Sequence, residues 1–224
     1  MKRILIFSIL SFTSLATFAQ KDAAAKAILN KVSEKYKSYD LVKTDFDFTL
    51  ENQQAGIKET RYGTLIAKSK ANKFNVTIYS AESTAKPEVE QQIISDGKTQ
   101  WTYLKKDNEV QINNVDVSGS GLNPAQIFTI YEHGYKYLYN GAVKIGGKTY
   151  DEIDLTPEEE KSFFKVRLEI DKVKKQIYSA LIFDKNGNHY TYKLTSLVPN
   201  IPVPDNTFTF DPKMHKGIEV VDLR

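Results

Sequence analysis

The sequence has no cysteine. An exported chain without cysteine forms no disulfides, so its stability must come from core packing and sheet hydrogen bonds. It also has no cysteine at a cleavage site to carry a lipid, so it is not expected to be a lipoprotein itself. There are three histidines, His133, His189 and His215, in separate segments without ligand spacing. Each reads as a surface or turn residue. A zinc site or a nucleophile–base pair needs a clustered set of His, Asp or Glu. None is evident, and no glycine-rich phosphate loop follows a strand. No metal or cofactor is expected, and nothing supports an enzyme.

Charge of one sign is scarce too. The formal net charge is +3. Residues 1–19 carry two of the basic residues, Lys2 and Arg3; without them 29 basic residues face 28 acidic ones, a net of +1. That excludes a net-charge footprint for nucleic acid or for anionic lipid. Long apolar runs are missing except at the start, where "ILIFSIL" follows Lys2 and Arg3 and is too short to span a bilayer. With small Thr17 and Ala19 before Gln20, residues 1–19 read as a signal peptide cleaved after Ala19. The expectation is a soluble exported protein of the bacterial periplasm, with 20–224 as a single domain.

What is present is mostly period-two alternation. One helix comes first: from Asp22 to Tyr39 the residues Ala24, Ile28, Val32, Tyr36 and Tyr39 recur at helical spacing. In "TDFDFTLE", Phe46, Phe48 and Leu50 then alternate with polar residues, as in a half-buried strand. "KFNVTIYS" repeats this with Phe74, Val76 and Ile78. "FFKVRLEID" places Phe164, Val166, Leu168 and Ile170 on one predicted face, and "KKQIYSALIFD" brings Leu181 and Phe183. In "IISDGKTQWTYL" the turn Asp96-Gly97 precedes Trp101, the single tryptophan, and Tyr103. A two-residue loop there would set Trp101 opposite Gln92. "NTFTFDP" and "GIEVVDL" read as the closing strands. The fold class is therefore mainly β: a single antiparallel sheet of about eleven strands, strongly curved or closed.

One stretch interrupts it. After a Gly-Ser loop, Asn123 as N-cap, Pro124 at the first helical position and Gly134 as terminator predict a short apolar helix. It carries Ile127, Phe128, Ile130 and Tyr131. The chain is rich in aromatics, with 12 Phe and 13 Tyr. Periodicity leaves two readings open: a filled β core, or a concave apolar face under the two helices with room for an acyl chain.

The order of motifs resembles the LolA family, periplasmic carriers of outer-membrane lipoproteins. Ser95, Asp96, Gly97, Lys98, Trp101 and Tyr103 resemble the family's "SDGKxxWxY" hairpin. Gly63, Leu65, Phe74 and Asn75 resemble its Gly-x-Leu and Phe-Asn positions, and "FTFDPKMHKGIEVVDLR" its closing segment. The resemblance runs from the first helix to Arg224. It implies an incomplete, half-open barrel whose apolar side is covered by helices. The implied acyl-chain cavity is lined by Phe46, Phe48, Leu50, Phe74, Val76, Ile78, Trp101, Tyr103, Phe164, Val166, Leu168, Leu181 and Phe183. The implied lid comprises Ile28, Val32, Tyr36, Ile127, Phe128, Ile130 and Tyr131. Where the family has an Arg-Pro pair this chain reads Ser69-Lys70-Ala71 with one extra residue, making Lys70 the candidate latch. The implied partners are lipidated proteins as cargo, an inner-membrane releasing transporter and an outer-membrane acceptor. A monomer without nucleic acid is expected. Two rivals stand beside this: a lipid-sensing regulator or carrier of another lipid on the same fold, and a non-binding structural envelope module.

Overall fold

The computed structural model describes residues 13–80, 88–115 and 127–224. Among them one α-helix, α1 (Thr13–Lys37), starts within the expected signal segment. Thirteen strands follow. The first six are β1 (Val42–Asn52), β2 (Ile57–Lys68), β3 (Lys73–Tyr79), β4 (Val89–Asp96), β5 (Thr99–Leu104) and β6 (Glu109–Asn114). Then come β7 (Tyr135–Ile145), β8 (Lys148–Pro157), β9 (Phe163–Asp171) and β10 (Gln176–Asp184). The last are β11 (His189–Leu194), β12 (Val198–Pro199) and β13 (Glu219–Asp222).

All belong to one sheet, ordered β13-β6-β5-β4-β3-β2-β1-β11-β10-β9-β8-β7, with β12 beside β1. The sheet is open, with β13 and β7 at its two edges. The mainly β half-barrel is thus present, with thirteen strands where about eleven are expected. Three local expectations differ. The last strand, β13, pairs with β6 in parallel. "NTFTFDP" forms no strand: Asp205–Phe208 and Pro212–Met214 are 3-10 turns. A second α-helix is not found among the described residues; Asn123 to Ala125 lie outside them, and Ile130–Glu132 is a single 3-10 turn.

Successive side chains of a strand point to opposite faces, so register sorts the sheet into two. On the inner face Phe46 stands across from Gly63 and Leu194, and Phe48 from Tyr192. Val76 stands across from Leu65 and Ile93. Farther along, Val166 faces Leu155 and Ile182, and Leu168 faces Ile153 and Ala180. Helix α1 lies on this face, burying Ala25, Leu29, Val32 and Tyr36 in the same core. Gly63 has a steric reason. A β-carbon there would sit 2.3 Å from the Phe46 ring, so the glycine lets that ring lie flat on the sheet.

The outer face has a smaller core of its own. Ile94, Tyr103, Val110 and Phe210 are buried together, with Trp101 and Ile218 packed against them. The segment after Pro204 covers β3 to β6 from outside, anchored where Asn75 Nδ2 donates to the Thr207 carbonyl at 2.8 Å. His215 stacks on Phe210 at 4.6 Å and meets Tyr103 at 4.7 Å, so it is a packing residue.

Candidate functional site

The inner face is a concave apolar surface that the sheet and α1 build together. Its middle is a run of four rings. Phe46 and Phe48 lie 5.9 and 4.9 Å from Tyr192, and Phe48 stacks nearly parallel to Tyr190 at 6.2 Å. Phe46 is buried, whereas Phe48, Ile78, Ile93, Tyr190 and Tyr192 are only partly buried among the described residues. Leu50 continues the same face, opposite Tyr190, and is half-buried. Burial pushes the Tyr192 phenol well above its ordinary pKa, so it stays neutral.

One side of this face is covered. Ile127, Phe128 and Tyr131 are buried in the inner core with Val32 and Tyr36 of α1. Ile28 and Ile130 pack on it from its margin. Phe128 meets Tyr36 ring to ring at 4.7 Å, and the Tyr36 hydroxyl accepts the Ile177 amide at 3.1 Å. Tyr137 donates to the Tyr131 carbonyl at 2.7 Å. Glu132 supplies the polar fastening: it accepts from Ser33 Oγ at 2.6 Å and pairs with Lys37 at 2.9 Å. Burial raises its pKa, but the hydrogen bonds from Ser33 and Lys37 outweigh that and hold the carboxyl below its usual range.

The cover is imperfect in one respect. The Tyr131 hydroxyl is buried and has no hydrogen-bond partner among the described residues. An unsatisfied buried donor costs about 1–3 kcal/mol. The cleft beside it, between Leu29, Ser33, Lys37, Tyr131 and Tyr137, holds about 150 Å³. Ligand pockets usually run to roughly 300–1,000 Å³.

The structure divides the expected lining residues. Phe46, Phe48, Leu50, Phe74, Val76, Ile78, Val166 and Leu168 all fall on the inner face. Trp101, Tyr103, Phe164, Leu181 and Phe183 do not. Trp101 pairs with Ile94 and Tyr103 with Gln92, both facing outward under Phe210. Gly97 and Lys98 separate β4 from β5, one residue later than an Asp96-Gly97 loop, which shifts partners but not faces. Leu181 stands opposite Arg167 and Phe183 opposite Lys165, the alternate set to the buried Ala180 and Ile182. A register shift near Phe183 and Asp184 buries Phe163 and turns Phe164 outward, 51 % exposed, against Phe183. Among the described residues Lys70 bonds to no residue of the cover. It sits in the 3-10 turn Ser69–Ala71 and pairs with exposed Asp40 at 3.4 Å.

The motif residues turn out to hold the frame. Asp96 accepts the amides of Lys98 and Thr99, closing the turn. Buried Ser95 donates to the Asn72 carbonyl and accepts the Gly97 amide. A β-carbon on Gly97 would come within 2.5 Å of the Ala71 carbonyl oxygen. "SDG" thus locks the β4–β5 hairpin to the β2–β3 connection, and only glycine fits there. Residues 37–211 match the sequence profile of the family described as outer membrane lipoprotein carrier protein LolA.

The chain belongs to the LolA family.

No curated protein matches it in sequence. Among solved structures, an uncharacterized conserved protein from Thermus thermophilus shares 16 % identity at a TM-score of 0.54, over 89 % of this chain and 99 % of that one. A LolA superfamily protein from Nitrosomonas europaea shares 15 % identity at 0.45, over 83 % and 97 %. An outer membrane lipoprotein-sorting protein domain from Vibrio parahaemolyticus shares 12 % at 0.45, over 83 % and 97 %. The likeness to the Thermus thermophilus protein is one of fold. Among the described residues, no cluster of His, Cys, Asp or Glu is placed to hold a metal ion, and no helix is long and apolar enough to cross a membrane.

Proposed function

We propose that this protein is a periplasmic carrier that binds the acyl chains of lipoproteins on its inner face and ferries them from the inner to the outer membrane. One observation carries the reading: an aromatic concave face, only partly buried, lies beside a short apolar cover fastened by Glu132. The frame fits the family; the face fits the cargo. A methylene left in water costs roughly 0.8 kcal/mol, so an acyl chain of about fifteen carbons costs on the order of 12 kcal/mol. A lipidated protein needs that cost offset to cross an aqueous compartment.

Release requires that the offset stay incomplete. Phe128 and Tyr131 compete with the acyl chain for the same apolar surface, so binding is weakened by what their displacement costs. The Tyr131 hydroxyl, without a hydrogen-bond partner among the described residues, works in the other direction and keeps the closed cover from being too stable. The protein's part is binding and release, with no covalent step. An inner-membrane transporter is the donor and an outer-membrane acceptor the recipient, and the chain works as a monomer after cleavage following Ala19. Mass spectrometry of material co-purified with the protein from the periplasm tests this. Intact lipoproteins are expected; free phospholipid alone would contradict it.

A further inference from the structure

The near-zero net charge conceals a polarised distribution. In an antiparallel sheet successive hairpins alternate between two ends. The β7–β8 hairpin at Gly146-Gly147 and the β9–β10 hairpin between Asp171 and Gln176 share one end. They are tied together where the Lys172 amide donates to the Thr149 carbonyl at 3.1 Å. Together they present Lys144, Lys148, Lys172, Lys174 and Lys175. Lys35 reaches the same place from α1, its amine donating to the Lys174 carbonyl.

Little acid answers these lysines. Lys172 stands 3.9 Å from Asp151, which is buried. Asp171 is engaged with its own turn, accepting the Val173 and Lys174 amides at 2.9 and 2.8 Å. Among the described residues, Lys144, Lys148, Lys174 and Lys175 have no carboxylate within ion-pair distance. The acidic run Glu158, Glu159 and Glu160 follows β8 at the opposite end.

The same turn holds an apolar side chain out into solvent. Val173 is 88 % exposed, flanked by Lys172 and Lys174 and set in place by Asp171. Val198, beside the start of β1, is exposed at the same end. An aliphatic tip on a lysine-rich end, where Lys144, Lys148, Lys174 and Lys175 have no ion pair among the described residues, matches an anionic bilayer, whose headgroups take the charges and whose acyl boundary takes the tip. A purely acidic protein surface would leave Val173 without a use.

We propose that this end of the sheet docks on anionic phospholipid membranes, with Val173 entering the interface. The inference does not depend on what the inner face binds. The test is co-sedimentation of the exported protein with vesicles of phosphatidylcholine alone or mixed with phosphatidylglycerol. Binding is expected only to the mixed vesicles and is expected to weaken with salt. The triple variant Lys148→Gln/Lys174→Gln/Lys175→Gln should lose about a hundredfold in partition, taking a factor of about five per lysine. Val173→Ser should lose about tenfold. Lys106→Gln/Lys213→Gln/Lys216→Gln removes the same charge from the opposite end and should bind as wild type does. Equal binding to both vesicle types, no binding to either, or an equal loss in the two triple variants would overturn the proposal.

Discussion

The ring of Phe128 lies 4.7 Å from that of Tyr36, tilted by 51°, and joins the cover to α1 within the inner core. Phe128 is 1 % exposed, so its truncation leaves a cavity. A core Phe→Ala change costs about 3–5 kcal/mol when the whole fold carries it. A cover that opens as a local unit would confine that loss to itself. Phe128→Ala should therefore lower the urea midpoint less than Leu168→Ala, while increasing uptake of an environment-sensitive apolar dye. Equal midpoint losses with unchanged uptake would show that the segment belongs to the rigid core.

Tyr131 gives the opposite sign. Its hydroxyl is buried without a partner among the described residues, so Tyr131→Phe removes a desolvated group and keeps the ring. Thermal unfolding should show a gain of about 1 kcal/mol. A loss of stability would mean that the hydroxyl is bonded in solution.

Glu132 makes the cover sensitive to acid. Burial raises its carboxyl pKa, but the bonds to Ser33 and Lys37 dominate and lower it. A lowered folded-state pKa contributes stability that is complete above the ordinary carboxylate value. That stability is lost as pH falls through the lowered one. Dye uptake should rise on acidification through that range in the wild type, and Glu132→Gln should flatten the dependence. An unchanged acid response in Glu132→Gln would remove this residue from the fastening.

Trp101 and Ile78 separate the two faces. Trp101 packs on the outer core, so its emission should not shift when an acyl ligand binds, and Trp101→Phe should bind normally. Ile78→Lys places a charge on the inner face and should reduce binding by about tenfold or more, given the cost of burying an unpaired charge. A tryptophan shift on binding would place ligand on the outer side.

The division between these residues shows what alternation can and cannot reveal. Period two sorts a strand into two sets, and within β1 and β3 it grouped Phe46, Phe48, Leu50 and Phe74, Val76, Ile78 correctly. It does not say which set faces inward, and here both faces carry apolar residues. Trp101 and Tyr103 look like lining residues until Phe210 and Ile218, more than a hundred positions later, are seen to cover them. One register irregularity moved Phe164 out and Phe163 in, a shift that no local pattern marks. The fastening by Glu132 was invisible because Ser33 lies 99 residues away. The motif order revealed the family because Ser95, Asp96 and Gly97 are fixed by the frame, whatever the inner face binds.

The most direct test is gel filtration of the exported protein after mixing with a triacylated lipoprotein in the absence of detergent. A soluble complex is expected with the lipidated cargo and not with the same cargo stripped of its acyl chains, and Ile78→Lys should weaken it. No complex, or equal complex formation with the unlipidated cargo, would contradict the carrier function.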